Sequence, residues 1–246
     1  MTYIESPHNA LVKKLRKLAR PKKRPDAFLI EGHKLVSAAT KARLELQVIV
    51  TSSARSEAPI VETAPHVPHA ILDKNLFDAV STLESPDGVL AIATRPSAPA
   101  LPHDGVVVAV LGVQDPKNLG AIARVTEASG ARGLLIKKGS VDPFSPKVVR
   151  GSMGSVFRLP VWEIEDSAAL TPFRKVALVP KGGVDFRRFD WAPPLVVMLG
   201  AEGAGLTEPL TGDDALVTIP MRGEVDSLNV ATAAALVLYE ASRKSS

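Results

Sequence analysis

The chain has 246 residues, 46% of them hydrophobic and 23% charged, and a formal net charge of +4. That composition is globular and excludes extended disorder; the absence of cysteine excludes a disulfide scaffold, cysteine-ligated zinc, iron–sulfur clusters and thiol catalysis. The five histidines (His8, His33, His66, His69 and His103) show no metal-ligand spacing, so no metal is expected.

Charge is concentrated at the start of the chain. Residues 1–24 carry eight cations (Lys13, Lys14, Arg16, Lys17, Arg20, Lys22, Lys23 and Arg24) against Glu5 alone. Residues 25–94 are net acidic and 95–246 nearly balanced. Clustered Lys and Arg are the electrostatic footprint of phosphate-backbone binding, although such a run can also be a solvated face. Leu11, Leu15 and Leu18 give the same segment an apolar stripe at helical spacing, so the cations are expected to project from a helix docked on a core. This N-terminus has no apolar run of signal-peptide length, and stretches such as Val106–Val113 are far too short to cross a membrane. A cytoplasmic protein is expected.

Further along, Phe28–Glu31 reads as a strand, Gly32–Arg43 as a helix, Leu46–Thr51 as a strand, Asp73–Ser81 as a helix and Val89–Thr94 as a strand. Residues 1–94 are therefore expected to form a small α/β domain. The proline-rich stretch 95–104 reads as a linker. In 105–246 the alternation is cleaner. Strands are expected at Val106–Gly112, Gly133–Ile136, Val176–Val179, Leu195–Leu199 and Leu216–Ile219. Helices are expected at Asn118–Ser129, from Pro146 to Gly151, and at Ser227–Ser242. Near-continuous apolar strands alternating with helices imply a parallel sheet covered on both faces.

Three segments of this second domain carry polar residues where parallel α/β proteins place ligands, after strand carboxyl ends and at helix N-termini. In Leu111–Gly130, Asn118 is placed as a helix N-cap, with Arg124 most of two turns further along. In Val196–Leu206, Gly200, Gly203 and Gly205 permit close backbone approach to a ligand, while Glu202 among them makes a phosphate cradle a poor fit. In Val217–Arg243, a strand leads through Pro220-Met221-Arg222-Gly223 to Ser227-Leu228-Asn229 and a long Ala/Leu-rich helix. Each segment alone has an ordinary reading as a capped helix or a glycine turn.

Together, in this order and at these distances, the three resemble the signature motifs of the SpoU/TrmH family of SPOUT RNA ribose 2′-O-methyltransferases. Phe28–Val36 (FLIEGHKLV) resembles part of that family's small N-terminal substrate-binding domain. The resemblance implies an α/β fold whose parallel sheet carries a C-terminal trefoil knot, with a domain at 1–94, a linker at 95–104 and a knotted methyltransferase domain at 105–246. It further implies S-adenosylmethionine as cofactor, a homodimer, and methyl transfer to a ribose 2′-hydroxyl. Carried over by motif, Gly200, Ile219 and Leu228, with Leu199, Gly205 and Met221, line the cofactor pocket. Arg124, Asn118, Glu202, Ser227 and Asn229 match the catalytic positions.

A guanidinium is effectively always protonated, so Arg124 is a poor base and a better grip for a phosphate or a developing alkoxide. The basic helix favours structured ribosomal RNA as substrate, with transfer RNA second. A non-catalytic, ribosome-associated RNA-binding protein is the competing reading, separable by cofactor binding.

Overall fold

The computed structural model describes residues 2–54, 64–171, 173–203, 205–207, 210 and 214–244. Its contacts divide the chain into two units, Met1–Pro96 with Phe144–Phe157, and Ser97–Pro143 with Arg158–Ser246.

The first unit contains β1 (Thr2–Ile4), α1 (Ala10–Ala19), β2 (Ala27–Glu31), α2 (His33–Lys41), β3 (Leu46–Ser52), β4 (His69–Leu72), α3 (Lys74–Val80) and β5 (Val89–Thr94). Its five strands lie in the order β1-β4-β3-β5-β2, with β1, β4 and β3 parallel and β5 antiparallel to both β3 and β2. Helix α1 starts because the Asn9 side chain accepts from Leu11 N at 2.8 Å. It buries Val12, Leu15 and Leu18 in the core beside Leu29, Leu72 and Phe77, while Leu11 is only partly covered. Burying three such side chains contributes about 1.5–3 kcal/mol each, whereas like charges at i,i+4 cost only a few tenths per pair. Packing therefore wins, and the helix holds a dense row of cations at the surface.

The stretch Phe144–Phe157, which includes α5 (Pro146–Gly151), belongs to this first unit. The contact division thus differs from the one expected at 95–104, which places the stretch with the second domain. The cause is a contact that local sequence does not display. The Phe28 ring lies 4.9 Å from Phe144 and 6.1 Å from Phe157, and the Arg95 guanidinium sits over Phe144. A buried polar cluster reinforces it. The Glu31 carboxylate, 4% exposed, accepts from Ser81 Oγ, from Thr82 N at 3.1 Å and from Thr82 Oγ1 at 2.6 Å. Arg150 donates to Thr82 Oγ1 at 2.7 Å and lies 3.6 Å from the same carboxylate.

The second unit contains β6 (Val106–Leu111), α4 (Pro116–Ala128), β7 (Leu134–Lys137), β8 (Val161–Ile164), β9 (Arg174–Leu178), β10 (Val184–Asp185), β11 (Leu195–Gly200), β12 (Ala215–Thr218) and α6 (Val230–Lys244). Seven strands form one parallel sheet in the order β10-β12-β9-β11-β6-β7-β8. All six residues of β6 are buried, as a strand covered on both faces requires. From β6 the chain runs outward through β7 and β8, then returns to build the other side with β9 to β12. In open α/β folds ligands bind at the carboxyl ends of such strands. The expected linker does not stand apart: Trp162 donates to the Pro99 carbonyl at 2.7 Å and Leu101 packs on the core of this unit.

Two helix starts differ from expectation. Helix α4 begins at Pro116, because the Asp115 side chain accepts from Lys117 N at 2.8 Å and Pro suits the first turn. Asn118 therefore lies inside the first turn and is not the cap. Helix α6 begins at Val230, three residues beyond Ser227.

Removing the Glu31 carboxylate would leave a partly buried guanidinium and three donors without their acceptor. Glu31→Ala should cost about 3–5 kcal/mol in urea denaturation, and Glu31→Met with Arg150→Met should recover much of that loss. A single variant within about 1 kcal/mol of wild type would show the cluster to be incidental.

Candidate active site

The second unit opens a cavity of about 400 Å³ at the carboxyl ends of β9, β11 and β12. Its walls come from three chain segments. Leu178 ends β9, and Val179 and Pro180 follow it; Leu199 and Gly200 end β11, and Ala201–Gly203 and Gly205 continue from it; Ile219, Met221 and Ser227–Val230 lead into α6.

The β11 wall is a tight return. Ala201 and Gly205 exchange both backbone hydrogen bonds at 2.9 Å. A Cβ on Gly200 would run into the backbone of Gly205 and Leu206. Gly205 itself has φ +67°, a conformation glycine adopts without cost. The requirement at Gly200 is thus steric and that at Gly205 conformational. The β9 and β12 walls are joined by Val179 N to Val217 O at 2.9 Å and by Thr218 Oγ1 to the Pro180 carbonyl at 2.9 Å. An exposed ion pair, Lys181 to Asp226 at 2.8 Å, spans the same two loops and adds little in solvent.

Asn229 organises the third wall. Its side-chain oxygen accepts from Ala231 N at 2.9 Å and Thr232 N at 3.3 Å, which caps α6. Its amide nitrogen donates to Asn118 Oδ1 at 2.9 Å, tying the start of α6 to the first turn of α4. Asn118 is 8% exposed.

All six residues expected around a cofactor (Gly200, Ile219, Leu228, Leu199, Gly205 and Met221) line this one cavity, as do Glu202, Ser227 and Asn229. Asn118 reaches it through Asn229. Arg124 does not line it. Six residues along a helix turn a side chain by about 240° relative to Asn118, and Arg124 accordingly points to solvent. It makes no hydrogen bond or ion pair with any described residue. Sequence reasoning missed Leu178, Val179 and Pro180, whose place in the wall depends on β9 lying between β11 and β12.

In the first unit, Lys13, Lys14, Arg16, Lys17, Arg20, Lys22 and Lys23 are exposed and Arg24 is half-buried. Lys14 donates to Gln47 Oε1 at 2.6 Å.

Residues 105–239 match the model of the SpoU rRNA Methylase family. The chain belongs to that family. Residues 9–91 match the MRM3-like substrate binding domain. The 23S rRNA (guanosine(2553)-2′-O)-methyltransferase of Bacillus subtilis is 30% identical over 97% of this chain and 98% of its own length. An uncharacterized tRNA/rRNA methyltransferase of Synechocystis is 33% identical over 98% of this chain and 93% of its own. Among solved structures, the AdoMet-bound rRNA methyltransferase of Sinorhizobium meliloti superposes with a TM-score of 0.86 at 30% identity, covering 98% of this chain and 97% of that one. The SpoU methyltransferase AviRb of Streptomyces viridochromogenes, in complex with AdoMet, gives 0.86 at 26% identity over 97% and 98%. The SpoU fold of these neighbours is the fold of this chain.

Gly200→Ala should force the β11 return apart, costing about 1–3 kcal/mol as overpacking does. Amide exchange at Ala201 and Gly205 should speed up more than exchange in β6. Unchanged exchange at both amides would mean that the return is not held by this close approach.

Proposed function

We infer that this protein is an S-adenosylmethionine-dependent methyltransferase acting on a ribose 2′-hydroxyl of RNA, with ribosomal RNA favoured over transfer RNA. The observation that carries the reading is the single cavity that gathers residues from the second and third motif segments and joins the first through Asn118 and Asn229.

The residues fit the cofactor. A cavity of this size with apolar Leu178, Leu199, Ile219 and Leu228 in its walls suits a flat base, and the Gly200 return offers backbone groups with no side chain in the way. When bound, S-adenosylmethionine supplies an electrophilic methyl group carried on a sulfonium. Gly200, Ile219 and Leu228, flanked by Leu199, Gly205 and Met221, hold it. Asn229 and Asn118 keep the two helix starts in register beside it, while Ser227 and Glu202 present polar groups at the wall. Arg124 grips a substrate phosphate or stabilises the developing 2′-alkoxide, a role that needs a permanent cation and no proton transfer.

Because Arg124 points away from the cavity of its own chain, we propose a homodimer in which a second copy completes the site. Exposed Leu236 and Tyr239 on α6 supply apolar surface for that contact. The trefoil threading implied by the resemblance belongs to the same proposal, as does action in the cytoplasm; no described helix is long and apolar enough to cross a membrane. The preference for ribosomal RNA is supported by the basic helix α1 and by the 23S rRNA activity of the Bacillus subtilis relative.

The test is incubation with methyl-labelled S-adenosylmethionine and unmodified ribosomal or transfer RNA. Label should enter ribosomal RNA at an alkali-resistant linkage. Arg124→Ala should lower turnover about 100-fold or more, as loss of a transition-state donor does, with cofactor affinity retained. Near-normal turnover of a folded Arg124→Ala protein would remove Arg124 from the chemistry. Absence of cofactor binding would turn the reading to a non-catalytic RNA-binding factor.

A further inference from the structure

The first unit presents many cations and one exposed aromatic ring. Its aromatic side chains are Tyr3, Phe28, Phe77, Phe144 and Phe157, and the four phenylalanines are at most 5% exposed. Tyr3, on the edge strand β1, is 52% exposed. Single-stranded RNA is held by a cationic groove together with aromatic rings on which splayed bases stack, each worth about 1–3 kcal/mol. Double-stranded RNA is held by phosphates and groove shape, with little need of rings.

The cations are arranged for duplex binding. Seven exposed Lys and Arg side chains lie within residues 13–23, with no ion pair to any described residue. Helix α1 has no acidic residue. It is docked through Val12, Leu15 and Leu18, so Lys13, Lys14, Arg16 and Lys17 are carried on a fixed element, with Arg20 at its C-cap and Lys22 and Lys23 beyond it. Lys14 is further set by Gln47, which bonds on to Thr94 Oγ1 at 2.9 Å and sits at the register shift of β3 against β5. A rigid row of point charges can match regularly spaced phosphates without ordering a flexible tail.

We propose that α1 binds the phosphate backbone of an A-form RNA duplex, without reading its sequence. The inference rests on the RNA methyltransferase reading and names the substrate class of its accessory unit. The first unit then supplies affinity for duplex, and the choice of nucleotide is left to the second unit.

The experiment uses the full chain and fluorescence anisotropy without cofactor, comparing a hairpin with a long uninterrupted stem against an unstructured strand with the same number of phosphates. The hairpin should bind about ten-fold or more tighter, and affinity should fall steeply with salt. Replacing Lys13, Arg16, Lys17 and Arg20 by Ala, all exposed and outside the core, should abolish the preference. It should also reduce the slope of log affinity against log salt by about 2–4, at about 0.9 per lost phosphate contact. Equal or tighter binding of the single strand, or a duplex affinity untouched by the four substitutions, overturns the proposal. Cofactor affinity, measured separately by calorimetry, reports on the underlying reading: a protein that binds cofactor yet shows no duplex preference sinks this inference alone.

Discussion

The hydrogen bond from Asn229 to Asn118 joins residues 111 positions apart and holds the start of α6 against the first turn of α4. Such a bond contributes only about 0.5–1.5 kcal/mol net, too little to keep two helices together. Their packing does that. Leu119, Ile122 and Ala123 are buried on α4; Ala231, Ala234, Val237, Leu238 and Ala241 are buried on α6, and the alanines let the two axes approach closely. The asparagine pair adds a directional contact at one end of that seam, and the same Asn229 caps α6 and lines the cavity. Helix contact, capping and the ligand wall thus meet at one side chain.

The β11 return is the second constraint. Gly200 has no room for a Cβ because Gly205 and Leu206 pass across it, and the short bridge from Ala201 to Gly205 keeps them there. Glu202 is held in that turn, at the cavity wall. A carboxylate at the mouth of a site meant for a cationic sulfonium raises no electrostatic objection, whereas it would repel a nucleotide phosphate placed at the same spot. Charge is thus divided between the two units, with anionic and neutral groups at the cavity and a cationic helix in the other unit.

Much of this architecture is legible in the sequence, for physical reasons that differ from element to element. Strands β6 and β11 are apolar runs because both faces are covered, so they stand out against any background. Strands β1 and β10, with 3 and 2 residues, are too short for a period to register, and β4 and β8 also escape. The start of α4 lies earlier than Asn118 suggests because Asp115-Pro116 forms a better cap and first turn, and Asn118 is engaged by Asn229. The assignment of 144–157 depends on Phe28 and Glu31, more than a hundred residues earlier, and no local pattern carries that information. At the site, glycine and apolar positions recognised through the motif resemblance converge on one cavity. The outward direction of Arg124 follows from helical rotation, and its distance from the cavity becomes visible only once the helix is placed.

A crystal structure with S-adenosylmethionine bound tests the cavity as the cofactor site most directly. The cofactor should lie against the backbone of Gly200, Ile219 and Leu228, with the Asn118–Asn229 bond intact and Arg124 of a second copy at the open side. Cofactor bound elsewhere, or a cavity that stays empty at saturating cofactor, would contradict this placement.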